Sequence, residues 1–188
     1  MKFCCSIIPF LVLILTSNAQ TPNFKSIDNY TNLISEKYKS NALKEKQLEG
    51  KRTPGGTVTG YYMKNKLVLI TTHSADEFAY NDYFYYIEAD SLLFVRAKHI
   101  VMKEPVNEKE YAEYEKYLLF NTDHKGNTDV NKWPLITDLS NEYYIDNNQI
   151  IRYDLKNSGK ALKAADGEIE GISKDLITRF TSHMQELK

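Results

Sequence analysis

The run THSADE, residues 72–77, holds the densest set of side chains in this sequence that could carry out chemistry. A histidine near carboxylates can act as a general base that a carboxylate orients, or it can share a metal ion with that carboxylate. His73 with Asp76 or Glu77 therefore defines one hypothesis, a hydrolase. A solvated loop is the simpler interpretation, because the members of a catalytic triad are normally brought together by the fold and are rarely sequence neighbours.

The remaining histidines and glycines form no catalytic motif. His99, His124 and His183 are widely separated and have no HExxH or HxH spacing for a metal ion. Gly55 and Gly56 precede a strand-like segment, whereas a phosphate-binding loop would open onto the start of a helix. We assign no catalytic residue, no metal site and no cofactor from the sequence, and the balance favours a protein that is not an enzyme.

The first 19 residues have the pattern of a signal peptide. A short basic start precedes the apolar residues 3–15, and small residues follow at Ser17 and Ala19. The apolar stretch is shorter than the roughly 20 residues that span a bilayer. We predict cleavage between Ala19 and Gln20 and a mature protein that is periplasmic or secreted, so the hydrolase of the first hypothesis would be extracytoplasmic.

We expect the mature chain to form a single α+β domain over residues 20–188. Its composition limits the chemistry and the partners that this domain can have. The two cysteines, Cys4 and Cys5, both lie in the signal peptide. Disulfides, thiolate metal sites and cysteine nucleophiles are therefore not expected after cleavage. The formal net charge of the full chain is −1, and without basic runs we expect neither a nucleic-acid partner nor a membrane span.

Three stretches repeat one pattern, in which a tyrosine pair precedes a polar dipeptide and a branched aliphatic run. They are residues 60–71, 84–97 and 142–155. Asparagine and aspartate tolerate the left-handed backbone of tight turns, so each stretch predicts a β-hairpin.

Alternation along a strand sends the two tyrosines of each pair to opposite faces of the sheet. Counting outward from a two-residue turn predicts that Ile87 faces Leu92, Tyr86 faces Leu93 and Tyr85 faces Phe94. In the third hairpin the same counting sets Ile145 opposite Ile150, Tyr144 opposite Ile151 and Tyr143 opposite Arg152. The predicted core face comprises Tyr85, Ile87, Leu92, Phe94, Tyr143, Ile145 and Ile150. The other face is partly apolar as well and needs cover or a partner.

Cover is available from helices near both ends of the chain. Apolar residues recur at helical spacing over residues 26–43, and Ser173 is a candidate N-cap for a helix that ends near Leu187. Asn107 is a candidate cap for a shorter helix between the second and third hairpins. The sequence therefore predicts an α+β fold, a meandering antiparallel sheet of three hairpins with flanking N- and C-terminal helices.

The hairpins also resemble those of known proteins. Gly60-Tyr61-Tyr62, Tyr85-Tyr86 and Glu142-Tyr143-Tyr144, each followed by a turn and an aliphatic run, resemble the repeats of a group of small secreted bacterial proteins without assigned activity. The resemblance covers roughly residues 50–153. It implies an exported antiparallel β-protein and brings no catalytic residues with it.

A surplus of tyrosine favours binding. The chain has 14 tyrosines and one tryptophan, and tyrosine combines a large apolar ring with a polar tip that suits contact surfaces as well as cores. The leading hypothesis is an exported non-enzymatic binding or interaction protein whose partner is an envelope protein or a glycan. Its predicted contact residues are Tyr86, Tyr144, Tyr153 and Trp133. A third hypothesis is a structural envelope protein that pairs through a sheet edge; the oligomeric state is left open.

Overall fold

A computed structural model describes residues 23–48, 56–121 and 133–187. The predicted signal peptide and its cleavage site lie outside the described residues. The elements in chain order are α1 (Phe24–Lys39), β1 (Lys44–Gln47), β2 (Gly56–Met63), β3 (Lys66–Ala75), β4 (Ala79–Glu88), β5 (Ser91–Met102), α2 (Glu108–Asn121), β6 (Leu135–Asp146), β7 (Gln149–Asn157), β8 (Lys160–Leu162) and α3 (Glu168–Leu187). The predicted α+β fold is confirmed.

The strands form one antiparallel sheet whose spatial order is the sequence order, β1 to β8. Tight turns make this possible at Lys64-Asn65, Ala89-Asp90 and Asn147-Asn148, where both central residues have positive φ. That backbone geometry defines a type I′ turn, which matches the twist of a two-residue hairpin. The three predicted hairpins are therefore present, and the short strands β1 and β8 extend the sheet at its two edges.

Each hairpin contains a β-bulge just beyond its turn. The register shifts between Tyr61 and Tyr62, between Tyr86 and Ile87, and between Tyr144 and Ile145. A bulge sets two residues of one strand against a single residue of the partner strand, and so it changes the facing of every later residue. In all three hairpins the bulge follows the second residue pair counted from the turn, so it is part of the repeated pattern.

The bulge corrects the predicted pairing in the second hairpin. Ile87 pairs with Leu92 as predicted, but Tyr86 pairs with Phe94 and Tyr85 pairs with Val95. The predicted Tyr86–Leu93 and Tyr85–Phe94 pairs are wrong because the counting assumed an unbroken ladder.

The third hairpin departs from prediction in the same way. Ile145 pairs with Ile150 as expected, whereas Tyr144 pairs with Arg152. Tyr143 pairs with Tyr153 and not with Arg152, so Tyr153 lies on the same face as Tyr143. Phe94 changes face, and it packs with the cluster under α1.

Helices cover both faces of the sheet, as a sheet that is apolar on both sides requires. One face packs against α3, through a core that includes Ile70, Tyr85, Ile87, Val95, Tyr143, Leu176 and Phe180. The other face packs against α1, through Ile34, Val68, Leu69, Tyr86, Phe94 and Tyr144. At the end of the sheet away from the hairpin turns, α2 contributes Tyr114 and Tyr117 to a third cluster with Ile100 and Met102.

Side-chain caps set the starts of α1 and α2. Asn23 Oδ1 accepts a hydrogen bond from the backbone N–H of Ser26 at 3.2 Å. Asn107 Oδ1 accepts one from Glu110 N–H at 3.0 Å, which confirms the predicted cap. In both cases the side chain satisfies an N–H group that the first helical turn leaves without a partner.

The start of α3 was predicted too late. The helix begins at Glu168, whose carboxylate accepts from the Ala165 N–H at 2.7 Å, and not at Ser173. Ser173 Oγ instead accepts the Ile150 N–H at 3.3 Å and joins the helix to β7. The extra turn contributes Ile169 and Ile172, which pack against the core and continue the apolar spacing of Leu176 and Phe180 towards the true start of the helix.

From β7, α3 runs across the strands to the opposite edge of the sheet. Its Leu187 carbonyl accepts hydrogen bonds from Lys46 Nζ at 3.0 Å and from the Tyr62 hydroxyl at 3.2 Å. Gly60 of β2 lies beneath the end of the helix, where an added Cβ would be 2.9 Å from Leu187 Cδ2. The absence of a side chain at Gly60 is what lets the helix end settle on the sheet.

We expect Gly60→Val to lower the free energy of unfolding by about 1–3 kcal/mol, because Leu187 and Leu67 must move to admit the new side chain. The control is Gly171→Ala in α3, where a Cβ would meet nothing within 4 Å. Alanine should stabilise that helix by about 0.5–1 kcal/mol. Urea unfolding measures both changes, and a Gly60→Val protein as stable as the wild type would contradict this account.

Candidate ligand-binding site

α3 covers the half of its sheet face nearest the hairpin turns, and the other half of that face carries a polar hollow. Strand pairing sets one row of side chains across it, formed by Val58, Thr72, Tyr83, Ala97 and Asn141. A second row, one step further from the helix, contains Ser74, Asn81, His99 and Leu139. Directly paired residues point to the same face. We call these two rows, together with the side of α3 that borders them, the trough.

The helix supplies the wall of the trough. The bordering residues of α3 recur at intervals of three or four, so they lie along one side of the helix. They are Ile172, Asp175, Leu176, Arg179 and His183. Two hollows, of about 430 Å³ and 500 Å³, meet at Asn81 and Tyr83, which line both. Each hollow falls within the roughly 300–1,000 Å³ range of small-molecule sites.

Contacts between neighbouring side chains fix the polar groups of the trough. His99 Nδ1 is 2.5 Å from Asn81 Oδ1, and Arg179 Nε donates to Asp175 Oδ2 at 2.8 Å. The guanidinium carbon of Arg179 is 5.5 Å from the centroid of the Tyr83 ring, within the range of a cation–π contact. Floor and wall are thus joined by direct contacts, and the groups that a ligand would meet are already oriented.

Two polar groups beneath the wall have no hydrogen-bond partner among the described residues, the Tyr85 hydroxyl and His183 Nδ1. Their rings meet edge to face, with centroids 5.8 Å apart. Burial raises the pKa of the Tyr85 hydroxyl, and burial also lowers the pKa of His183 below its ordinary value. Desolvation therefore favours the neutral form of both groups.

Two of the predicted contact residues, Tyr86 and Tyr144, lie under α1. Tyr86 is 2% exposed, and its hydroxyl is 2.8 Å from Ser35 Oγ. Tyr144 is 6% exposed, and its hydroxyl donates to Asp28 Oδ1 at 2.7 Å. The expectation that these two tyrosines are exposed for contact with a partner is wrong, because α1 covers their sheet face.

The other two predicted contact residues lie far from each other. Tyr153 is 43% exposed and lies beside Tyr143 on the α3 face. Trp133 packs on Tyr114 at the α2 end of the sheet, and its Nε1 donates to the Lys103 carbonyl at 2.8 Å. The four residues therefore do not form one continuous surface. A binding role for any single one of them stays a prediction.

The residues of the hydrolase hypothesis do not come together as predicted. His73 Nδ1 is 2.5 Å from Asp82 Oδ1, across the β3–β4 ladder, and its side chain is 50% exposed. Asp76 instead accepts the backbone N–H of Glu77 at 2.8 Å. His73 borders the smaller hollow of the trough, but its pairing with Asp82 places both residues on the sheet face opposite to the trough floor. In the part of the chain that the structure describes, no three His, Cys, Asp or Glu residues are grouped to hold a metal ion.

Sequence reasoning missed the trough, although a signal for it was present. Along the α3 face, β3 passes from apolar Ile70 to Thr72 and Ser74, and β4 passes from Tyr85 back to Asn81. The change occurs at Thr72 on β3 and one row further on β4, at Asn81, because Tyr83 lies opposite Thr72. Such changes on paired strands indicate a polar surface that crosses the sheet, but only once the register is known.

No protein-family model, curated protein or solved structure matches the chain. The fold and the site define an α+β protein with an eight-stranded antiparallel meander, helices on both faces and a polar trough beside α3. Within residues 23–48, 56–121 and 133–187, no helix has the length and apolar character needed to cross a membrane.

Adjacent tyrosines of β4 provide a test of the buried hydroxyls. Tyr86→Phe should lower the free energy of unfolding by about 0.5–1.5 kcal/mol, because the hydrogen bond with Ser35 is lost. Tyr85→Phe removes a buried hydroxyl that has no partner in the described structure, so stability should be unchanged or higher. Urea unfolding measures the free energy of unfolding of both variants. A larger decrease for Tyr85→Phe than for Tyr86→Phe would show that the Tyr85 hydroxyl is hydrogen-bonded.

His183 makes stability depend on pH. Its pKa is lower in the folded state than the ordinary 6.5, so the unfolded chain binds more protons as the pH falls below that value. The stabilising contribution of the neutral imidazole is present above about pH 6.5 and declines as the solution is acidified. The unfolding free energy of the wild type minus that of His183→Gln should therefore fall as the pH is lowered. A difference that is constant from about pH 5 to pH 8 would contradict the lowered pKa.

Proposed function

We propose that this protein is exported and acts as a non-enzymatic binding protein whose ligand occupies the trough. The observation that carries the proposal is the pair of joined hollows beside α3, lined by hydroxyl, amide and imidazole groups on packed elements. Sites of this kind concentrate a few oriented polar groups in a concave surface. The partner class is an envelope component, a protein or a glycan.

Rigidity supports a binding role for the trough. Its floor belongs to inner strands, which are paired on both sides, and its wall is held against the core through the buried side chains of Leu176 and Phe180. Groups held in this way lose little conformational entropy when a ligand binds. The export half of the proposal is supported by the signal-peptide pattern of residues 1–19.

The two alternative functions have less support. A hydrolase built on His73 would depend on its exposed contact with Asp82, which lies on the sheet face opposite to the trough floor. Pairing through a sheet edge would use β1 or β8, which have four and three residues. Short edge strands with lysine, such as the KEKQ sequence of β1, are the usual means by which proteins prevent edge pairing.

Export and binding can be tested separately. Mass spectrometry of the protein recovered from the periplasm or medium of expressing bacteria should show a chain that begins at Gln20. Retention of the intact chain in the cytoplasm would contradict export.

For binding, the mature protein is titrated with fractionated envelope extract and followed by amide chemical shifts. We expect changes at trough residues of β3, β4 and β5. Ser74→Tyr should abolish these changes by filling the trough, whereas its neighbour Ala75→Tyr, on the opposite face, should leave them intact. Equal binding by both variants, or changes confined to other surfaces, would contradict the proposal.

A further inference from the structure

We infer that the ligand of the trough is a neutral oligosaccharide, an inference that rests on the proposed binding function. Three properties of the trough lead to this ligand class: its balance of charge, the kind of hydrogen-bonding groups on its floor and the direction in which it runs.

Among its described residues, the trough offers no unbalanced charge. Its charged wall residues, Asp175 and Arg179, form an ion pair at 2.8 Å. Lys98 and His73 each border one hollow, but both are register partners of Asp82 and therefore lie on the opposite sheet face. A charged ligand would lose its hydration without gaining a free counter-charge, which costs more than desolvating a neutral one. The charge balance therefore favours an uncharged polar molecule.

The floor presents groups that both donate and accept hydrogen bonds. Thr72 and Ser74 carry hydroxyls, while Asn81 and Asn141 carry amides, and each of these groups combines donor and acceptor capacity. Sugar hydroxyls have the same dual capacity, so they can donate to or accept from the floor hydroxyls and accept from the amide N–H groups. The amide oxygen of Asn81 is already in contact with His99, and that of Asn141 is buried. Tyr83 lines both hollows, and its hydroxyl adds a further group that can donate and accept.

The direction of the trough favours a sugar chain over a peptide. Peptides that bind to sheets usually add a strand alongside an edge, where backbone groups are unpaired. The trough instead crosses the inner strands β2 to β6, whose backbone groups are used in the ladders on both sides. Four strand spacings of ~4.8 Å give a length of about 19 Å. This length suits a linear chain of several sugar units.

The test uses ¹⁵N-labelled mature protein, residues 20–188, with three sets of probes at millimolar concentration. The first set is neutral tetrasaccharides of maltose, cellobiose and chitobiose type. The second is an oligogalacturonate, and the third is an uncharged tetrapeptide with capped ends. At least one neutral tetrasaccharide should shift the amides of the trough and bind more tightly than its disaccharide.

A matched pair of isosteric variants locates the contact. Thr72→Val removes one hydroxyl from the trough floor and should weaken binding of that tetrasaccharide by roughly two- to tenfold. Thr71→Val makes the same change on the neighbouring residue, which faces away from the trough, and should leave the affinity unchanged. Equal affinities for the two variants would overturn the placement of the sugar in the trough.

The probe sets also separate this inference from the proposed function. Shifts of trough amides by the oligogalacturonate or the peptide alone would overturn the oligosaccharide inference and leave ligand binding in the trough standing. No trough shift with any neutral tetrasaccharide would overturn the inference too, and the Ser74→Tyr titration with envelope extract would then decide the broader proposal. Failure in both experiments would remove the trough as a binding site.

Discussion

Burial of the central hairpins on both of their faces is the constraint from which the rest of the structure follows. Tyr85 and Tyr86 are neighbours on β4 and point in opposite directions, yet they are 0% and 2% exposed. Two helical layers are needed to achieve this, and the chain provides them from its two ends. α1 hydrogen-bonds the Tyr86 hydroxyl through Ser35, whereas α3 packs over the Tyr85 ring through His183. The tyrosine pair of the second repeat thus anchors one helix on each face.

The direction of α3 turns this layered packing into a site. A helix that crosses the strands covers a band of the sheet, and the remainder of that face must be polar if it stays in contact with water. The sequence follows this rule strand by strand, with Thr72 and Ser74 on β3 and Asn81 on β4. Arg179 and Asp175 project from the helix along the same border. Core and site are consequently two parts of one sheet face, divided by the line of the helix.

The repeated pattern was sufficient to predict the hairpins, their turns and the fold class, because these depend on local residue types. The bulges could not be predicted from this pattern, because the residue type of Leu93 does not show whether it belongs to the regular ladder or is the extra residue of a bulge. In the second hairpin the bulge moves Phe94 to the face opposite to the predicted one. In the third hairpin it places Tyr153 opposite Tyr143, where Arg152 was predicted. The site could not be found for a related reason: its members come from five strands and one helix, and only the register brings Thr72, Tyr83 and Asn141 into one row.

The path of α3 also bears on how the chain reaches its native state. Neighbouring strands of the sheet are consecutive in sequence, so each hairpin closes only a short loop, at a small cost in chain entropy. The contact between Lys46 and Leu187 is different, because it joins residues 141 positions apart. The meander can therefore form from contacts between sequence neighbours, but its α3 face stays uncovered until residues 168–187 pack across it. Completion of that core depends on contacts over a long sequence separation, which are slower to form than those of a hairpin.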